Sequence, residues 1–170
     1  SQSPLWSLFS LLLEFIHKIY SLISIKSGKL SRNKSLIKLK PVSKSDYRFL
    51  YDLLKERNPR TNISHKKMPT YRQHVSFVSS KPYSKWYVVL YDDSRVGSLY
   101  LSKQNEIGIS FVDSSSHDQL GNHALQLLIK KNPRKRYLAN VSPLNKKLQS
   151  FFIHNNFTQL EYTYELTSNN

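Results

Sequence analysis

The chain has 170 residues, enough for one compact domain and an extension, and its 39% hydrophobic and 12% aromatic residues can form a core. It has no cysteine, which excludes disulfides, zinc–thiolate sites and a cysteine nucleophile and fits a reducing intracellular compartment, the cytoplasm or an organelle matrix. The net charge of +15 favours anionic partners, although an AT-rich genome, which inflates Lys and Asn, would give the same excess.

Residues 5–25 are strongly apolar, and their polar positions form one stripe on a helix. Glu14, His17 and Lys18 lie in the middle of the segment, which disfavours a membrane span. We predict an amphipathic helix that lies in a membrane surface or docks on a protein partner, with packing on its own domain as the alternative. A basic linker follows, so that residues 1–35 precede a folded domain over 36–170.

The folded domain is predicted from hydrophobic periodicity, from helix caps at Ser43 or Ser45 and at Thr70, and from the turn residues 92–94, which indicate a hairpin. Ten elements follow in chain order: a strand over 36–43, a helix from Ser43 or Ser45 to Arg57, a helix from Thr70 to Val78, strands over 85–92, 95–102 and 105–112, a helix over 119–131, a strand over 136–142, a helix over 145–154 and a strand over 159–166. This order predicts an α/β fold, with a mixed, mostly antiparallel sheet between helices.

Four long phrases carry a family resemblance: ISHKKMPTYRQHVSFV, SKPYSKWYVVL, GSLYLSKQNEIGI and PRKRYLANVSPLNKKLQSFF. Together with the element order, they resemble the GNAT superfamily of N-acyltransferases, and within it the bacterial amino-sugar acetyltransferases. The resemblance covers residues 36–166. It implies acetyl-CoA as the cofactor and a primary amine of a small molecule as the acceptor, with a nucleotide-linked amino sugar as the favoured class.

The resemblance also implies where the cofactor binds. Acetyl-CoA would lie between the 105–112 and 136–142 strands, with the main chain of Phe111 pairing with the pantetheine. The pyrophosphate would lie at a helix N-terminus near Gly121 and Asn122, where unpaired amides favour anions. The phosphate loop is degenerate, because Ser116 and Gln119 replace the family's Gln or Arg and its first Gly. Asn145 keeps the family's Asn at the start of the last helix.

The resemblance implies catalytic and acceptor-site residues as well. Glu106 begins the strand beside the cofactor and is the candidate general base, with a solvated strand-end carboxylate as the alternative. His65 and His74 lie in the region that shapes the acceptor pocket, where histidines bind substrate or relay a proton. Phe152 stands where family members place a tyrosine that protonates the leaving thiolate. No metal site is predicted.

A second function class remains open from the sequence. The degenerate loop, the absent tyrosine, the charge and the apolar N-terminal segment also fit a catalytically inactive GNAT-derived subunit of a ribonucleoprotein or membrane assembly. A basic block within residues 130–147 would contact the adenosine 3′-phosphate of the cofactor or the phosphates of a nucleic acid. Its members are Lys130, Lys131, Arg134, Lys135, Arg136, Lys146 and Lys147.

Overall fold

The computed structural model of the protein describes residues 37–61, 67–113 and 119–164. The predicted helix over 5–25, the linker and the boundary at residue 36 lie outside these residues, as do His65 and Ser116. Four strands and four α-helices have the following bounds: β1 Ile37–Pro41, α1 Tyr47–Lys55, α2 Tyr71–Ser79, β2 Lys85–Tyr91, β3 Ser94–Leu101, β4 Ile107–Phe111, α3 Leu120–Lys131 and α4 Lys146–His154. Short 3-10 helices cover Lys44–Asp46 and Pro59–Thr61.

The four strands form one antiparallel sheet in the order β1-β2-β3-β4. The predicted hairpin between β2 and β3 is confirmed. Its turn residues Asp92 and Asp93 have φ angles of 48° and 61°, the left-handed geometry that two-residue hairpin turns need. Beyond the edge of β4, Glu106 makes an isolated parallel bridge with Leu138.

Helices cover both faces of the sheet, as the sequence predicts. Side chains alternate across a strand, so Leu99, Ile107 and Ile109 join the main core with α3 and α4 on one face. On the other face, Tyr100 and Gly108 line a cavity together with residues of α1 and α2. Predicted caps are confirmed at two helices: Thr70 and Gln73 form a capping box on α2, and Asn145 caps α4.

Two predicted strands are absent from the described residues. Within 136–142, only Leu138 makes a β-type pairing, which is the isolated bridge to Glu106. Residues 159–164 have no regular secondary structure, and Leu160, Tyr162 and Tyr164 are 67%, 76% and 90% exposed. The alternation in that segment was therefore wrong as a strand prediction, because neither of its faces is buried. Among the described helices, none is both long and apolar enough to cross a bilayer.

Candidate functional site

The parallel bridge beside β4 marks the start of a split in the sheet. The Ile107 amide donates to the Leu138 carbonyl over 2.7 Å, and the Leu138 amide donates to the Asn105 carbonyl over 2.9 Å. Successive amides of a strand point to opposite sides, so the amides of Ile109 and Phe111 point to the same side as that of Ile107. The bridge is isolated, and the two segments separate after it. Main-chain donors of β4 therefore face the split.

Glu106 lies at the closed end of this split. One carboxylate oxygen accepts a hydrogen bond from the Asn140 side chain over 2.8 Å, and the other accepts from the Ser102 hydroxyl over 3.4 Å. The Glu106 amide in turn donates to the Ser102 hydroxyl over 3.0 Å. Glu106 is half-buried. The predicted carboxylate is thus held from both sides of the split, by Ser102 after β3 and by Asn140 in the separating segment.

The N-terminus of α3 lies at the open end of the split, because the chain runs from the end of β4 into this helix. Gln119 is its N-cap residue, with φ −91° and ψ −59°, so this position needs no glycine. The Gln119 side chain makes no capping bond. First-turn amides of a helix have no partner within it, so this terminus supplies donors for an anion.

Gly121 and Asn122, predicted as cofactor residues, also make structural contacts. A Cβ at Gly121 would lie 2.9 Å from the ring of Phe151 and 3.5 Å from that of Phe111. Helix packing therefore accounts for the missing side chain. The Asn122 side-chain oxygen accepts from Asn155 over 2.8 Å, which links α3 to α4. The Phe111 side chain is buried in the core.

Asn145 is the N-cap residue of α4, and Phe152 lies in the last turn of that helix. The Asn145 side chain accepts from the Leu148 amide over 3.1 Å, which confirms its capping role. Phe152 is 5% exposed and packs edge-on against Phe151 and Phe157, with ring centroids 5.2 and 5.0 Å away. No hydroxyl comes from this position, and Asn156, which follows the helix, adopts the left-handed φ of 64° that Asn tolerates.

A cavity of about 230 Å³ lies between the sheet and helices α1 and α2. Its lining combines aromatic rings, aliphatic side chains, one arginine and a few neutral polar groups, and contains no carboxylate among the described residues. The lining residues that bear on recognition are Arg57, Gln73, His74, Phe77, Tyr83, Trp86, Ser98 and Tyr100.

The aromatic rings of the cavity form a connected group. Tyr83 and Tyr100 stack with centroids 3.8 Å apart and planes 3° apart. Trp86 meets Tyr83 edge-on at 4.8 Å and meets Phe77 at 6.2 Å. The Trp86 indole donates to the Ser98 hydroxyl over 2.8 Å, which fixes the indole against β3. These rings give the cavity flat apolar walls whose orientation is set.

His74 is the predicted acceptor-site histidine that the structure describes, and it lines this cavity. The residue is 5% exposed, and its Nε2 atom is buried without a hydrogen-bond partner in the described part of the chain. Burial lowers the pKa of His74, against a hydrogen bond to the Tyr47 main chain that raises it. If that bond occupies Nδ1–H, the neutral ring presents the Nε2 lone pair as an acceptor for a ligand N–H or O–H.

Two tyrosine hydroxyls face charged groups on the cavity side of the sheet. Burial raises the pKa of Tyr83, and a hydrogen bond to Tyr100 and the charge of Glu106 raise it further, while Arg57 lowers it. Burial also raises the pKa of Tyr100, whereas Arg57 and the bond from Tyr83 lower it. Both hydroxyls are therefore protonated at neutral pH and lie within electrostatic reach of Glu106.

All seven residues of the basic block are exposed. Lys130 and Lys131 end α3, and Arg134, Lys135 and Arg136 follow that helix directly. The N-terminus of α3 is about 18 Å away at 1.5 Å per residue, so these five charges lie about one helix length from the predicted phosphate site. Lys146 and Lys147 begin α4.

Sequence reasoning missed Arg57, Tyr83, Tyr100 and Asn140. Their contacts depend on strand register and on the return of residue 140 to the edge of β4, which periodicity does not give. One signal was available. Gly108 is an isolated glycine inside a strand, a pattern that indicates close approach of another group.

Comparison with known proteins shows the fold class. No family model matches the chain, and no curated protein matches it. A domain from Methanocaldococcus jannaschii is 19% identical, with a TM-score of 0.64 over 76% of this chain and 92% of that one. Spermidine N-acetyltransferase SpeG from Vibrio cholerae is 15% identical, with a TM-score of 0.58 over 75% and 83%.

RimL, a ribosomal L7/L12 α-N-protein acetyltransferase solved with coenzyme A, is also 15% identical, with a TM-score of 0.58 over 74% of this chain and 81% of that one. At these identities the likeness concerns the fold. The chain has the α/β fold of the GNAT N-acetyltransferases, which confirms the predicted fold class. The acceptors named for SpeG and RimL belong to those proteins.

Proposed function

We propose that this protein transfers an acetyl group from acetyl-CoA to a primary amine of a small molecule. The observation that carries the proposal is the isolated Glu106–Leu138 bridge, because it marks a split in the sheet next to a carboxylate, along the strand whose Gly108 lines the cavity. Acyl transfer to an amine needs both a base and a donor held near it. The split, Glu106 and the cavity supply these elements side by side.

The residues of the split suit acetyl-CoA. The outward amides of Ile109 and Phe111 are positioned to pair with the pantetheine amides, and the N-terminus of α3, with Gly121 and Asn122, favours the pyrophosphate. Asn145, at the N-terminus of α4, is proposed as a further polar group for the cofactor. Ser116 would complete the loop. Bound acetyl-CoA supplies the activated acyl group, and the chain positions it and handles the protons.

The cavity is proposed as the acceptor site. Its volume of about 230 Å³ suits one sugar-sized or ring-sized group. Arg57 and the absence of a carboxylate from the described lining disfavour a polycation such as a polyamine and favour an acceptor that carries negative charge. The aromatic walls favour a planar or ring-shaped group. A nucleotide-linked amino sugar combines these features, with His74, and His65 if it reaches the site, as hydrogen-bonding partners.

Glu106 is proposed as the general base, acting directly or through a water. The Asn140 and Ser102 contacts orient its carboxylate, so that it accepts the amine proton without losing its position. The activity would take place in a reducing compartment, the cytoplasm or an organelle matrix. Two predictions from the sequence are separate from this function. Residues 5–25 would dock on a membrane or a protein, and residues 130–147 would contact phosphate groups.

The experiment combines binding and product analysis on the full chain. Acetyl-CoA affinity is measured by calorimetry, and acetylated products of a nucleotide-linked amino sugar, spermidine and a peptide N-terminus are measured by mass spectrometry. We expect binding, and acetylation of the sugar nucleotide with little acetylation of spermidine. Acetylation of spermidine in preference would overturn the acceptor class. No binding at millimolar acetyl-CoA, with no product, would instead favour the catalytically inactive assembly subunit.

The base is tested by a matched pair of variants. Glu106→Gln keeps the shape and the Asn140 contact but cannot accept a proton, so turnover should fall by about 10²–10⁴-fold. Glu56→Gln changes a carboxylate at the end of α1, outside the split and the cavity lining, and should leave turnover unchanged. Equal turnover in the two variants would remove Glu106 from the proposed role.

A further inference from the structure

The position of Tyr100 points to a role that the sequence resemblance assigns elsewhere. Tyr100 on β3 is the cross-strand partner of Gly108 on β4. A Cβ placed at Gly108 would lie 2.2 Å from the Tyr100 Cζ atom and 2.5 Å from its hydroxyl oxygen. The ring therefore lies flat across β4, and its hydroxyl reaches over the strand that borders the split.

The hydroxyl of Tyr100 shares one face of the sheet with the Glu106 carboxylate. Residues 106 and 108 are two apart on one strand, so their side-chain positions lie on the same side. Gly108 has no side chain, and the space it leaves is filled by the ring end of Tyr100. The Glu106 charge acts on this hydroxyl, as expected for neighbouring groups. A carboxylate and a neutral hydroxyl thus share this face of the sheet near the closed end of the split.

Three contacts fix the Tyr100 ring in this place. Tyr83 stacks on it at 3.8 Å with parallel planes, and the hydroxyls of the two tyrosines interact. Arg57 lines the same cavity, and its charge favours the anion of either hydroxyl. Burial and the Glu106 charge raise the pKa of Tyr100, so the hydroxyl keeps its proton until a stronger base forms next to it.

We propose, resting on the acetyltransferase function above, that the Tyr100 hydroxyl is the proton donor to the leaving thiolate, in place of the hydroxyl that Phe152 lacks. In the step, the amine nitrogen bonds to the acetyl carbonyl carbon and the carbon–sulfur bond breaks. Sulfur leaves with the bonding electron pair and takes the Tyr100 proton. Glu106 takes the amine proton, and water returns a proton from Glu106 to Tyr100, so charge and atoms balance.

The other described tyrosines fit this role less well. Tyr83 stacks on Tyr100 and so positions the donor. Tyr137 donates to the Asn132 carbonyl over 2.9 Å and receives a hydrogen bond from the Arg134 amide, at the far end of α3. Tyr100 is the described tyrosine whose hydroxyl lies over β4 itself.

The test uses the full chain with Tyr100→Phe and, as a matched control, Tyr91→Phe at the exposed end of β2. Coenzyme A is bound to each protein, and the ultraviolet absorbance of its thiolate is followed against pH. Because a hydroxyl that donates to sulfur stabilises the thiolate, the thiol pKa of bound coenzyme A should be higher by about one unit in Tyr100→Phe than in wild type or Tyr91→Phe. Turnover should fall by about 10²–10⁴-fold in the same variant.

The outcomes separate this proposal from the function it rests on. If wild type binds coenzyme A and acetylates an amine, yet Tyr100→Phe leaves the thiol pKa and turnover unchanged, the Tyr100 role is overturned and the acetyltransferase function stands. If wild type binds no coenzyme A, the function fails and the Tyr100 role fails with it. A normal thermal unfolding temperature for Tyr100→Phe shows that a loss of turnover is not a loss of fold.

Discussion

The ring of Tyr100 occupies the space that a side chain at Gly108 would fill. The hypothetical Cβ would lie 2.1 Å from the Tyr100 Cε1 atom, well inside contact distance. Because Tyr100 and Gly108 are cross-strand partners, the glycine lets an aromatic ring lie across the edge strand of the sheet. Tyr100 therefore lines the cavity and also lies against the strand that borders the split.

The first prediction concerns this glycine. Gly108→Ala should force the Tyr100 ring off β4, and we expect a loss of about 1–3 kcal/mol in the free energy of unfolding, the usual cost of overpacking. Chemical denaturation measures it. The double variant Gly108→Ala with Tyr100→Ala removes the clash, so the alanine at 108 should cost much less there. Equal costs in both backgrounds would show that the ring is not the obstacle.

The second prediction concerns the buried carboxylate of Asp46, which is 0% exposed. Lys40 donates to it at 2.7 and 2.8 Å, Arg95 at 3.0 Å, and the Ser43 amide and hydroxyl at 2.9 and 2.8 Å. Burial alone would raise the pKa of Asp46, but these bonds outweigh it and lower the pKa to about 2. Asp46→Asn should therefore destabilise the fold by about 3 kcal/mol at neutral pH, since it leaves two cations without their partner.

The lowered pKa of Asp46 also predicts that the stability of the fold decreases at acid pH. The folded-state pKa lies below the unfolded value of 3.8, so the stability that Asp46 contributes is complete above that value and is lost as the pH falls from 3.8 towards 2. Unfolding of wild type and Asp46→Asn across this window measures the difference. Asp93→Asn is the control, because the Lys38–Asp93 pair is 63% and 80% exposed and should contribute under about 1 kcal/mol.

Local signals predicted most of the fold but little of the cavity. Thr70 and Asn145 as helix caps, and the Asp92–Asp93 turn, are short-range features, and the structure has each where the sequence predicts it. Tyr83 and Arg57 come together only after α1 has packed on the sheet, so no spacing in the sequence brings them to Tyr100. Long-range contacts of this kind depend on tertiary packing, which local propensity does not contain.

The residues of the split show the same contrast between short-range features and long-range contacts. Glu106 could be proposed as the base because the family resemblance places a general base at the start of this strand, whereas its partner Asn140 follows it by many residues. The segment over 136–142 was predicted as a full strand from its composition, but it pairs only at Leu138 before it separates from β4. A strand-like sequence does not reveal where its partner diverges, since β propensity reflects context as much as backbone preference.

The third prediction concerns His74, whose folded-state pKa is lowered by burial. In the unfolded chain this histidine binds a proton near pH 6.5, whereas in the folded protein it stays neutral to a lower pH. The stability of the folded protein is therefore not reduced by His74 above pH 6.5, and it falls as the pH drops below that value. His74→Phe should flatten this slope when unfolding is measured from pH 7.5 to pH 5. His154→Phe, at the exposed end of α4, is the control, and a slope abolished there instead would contradict the assignment.

The final prediction separates the structural role of Asn145 from its proposed role at the cofactor. Its side chain accepts from the Leu148 amide over 3.1 Å, so Asn145→Ala should lower the free energy of unfolding by about 1 kcal/mol. Asn145→Asp keeps the cap but adds a negative charge at the N-terminus of α4. If phosphate groups of acetyl-CoA lie there, Asn145→Asp should keep wild-type stability and still lose affinity for acetyl-CoA in calorimetry, because like charges repel. Wild-type affinity in Asn145→Asp would place the phosphates away from α4 and leave Asn145 as a helix cap alone.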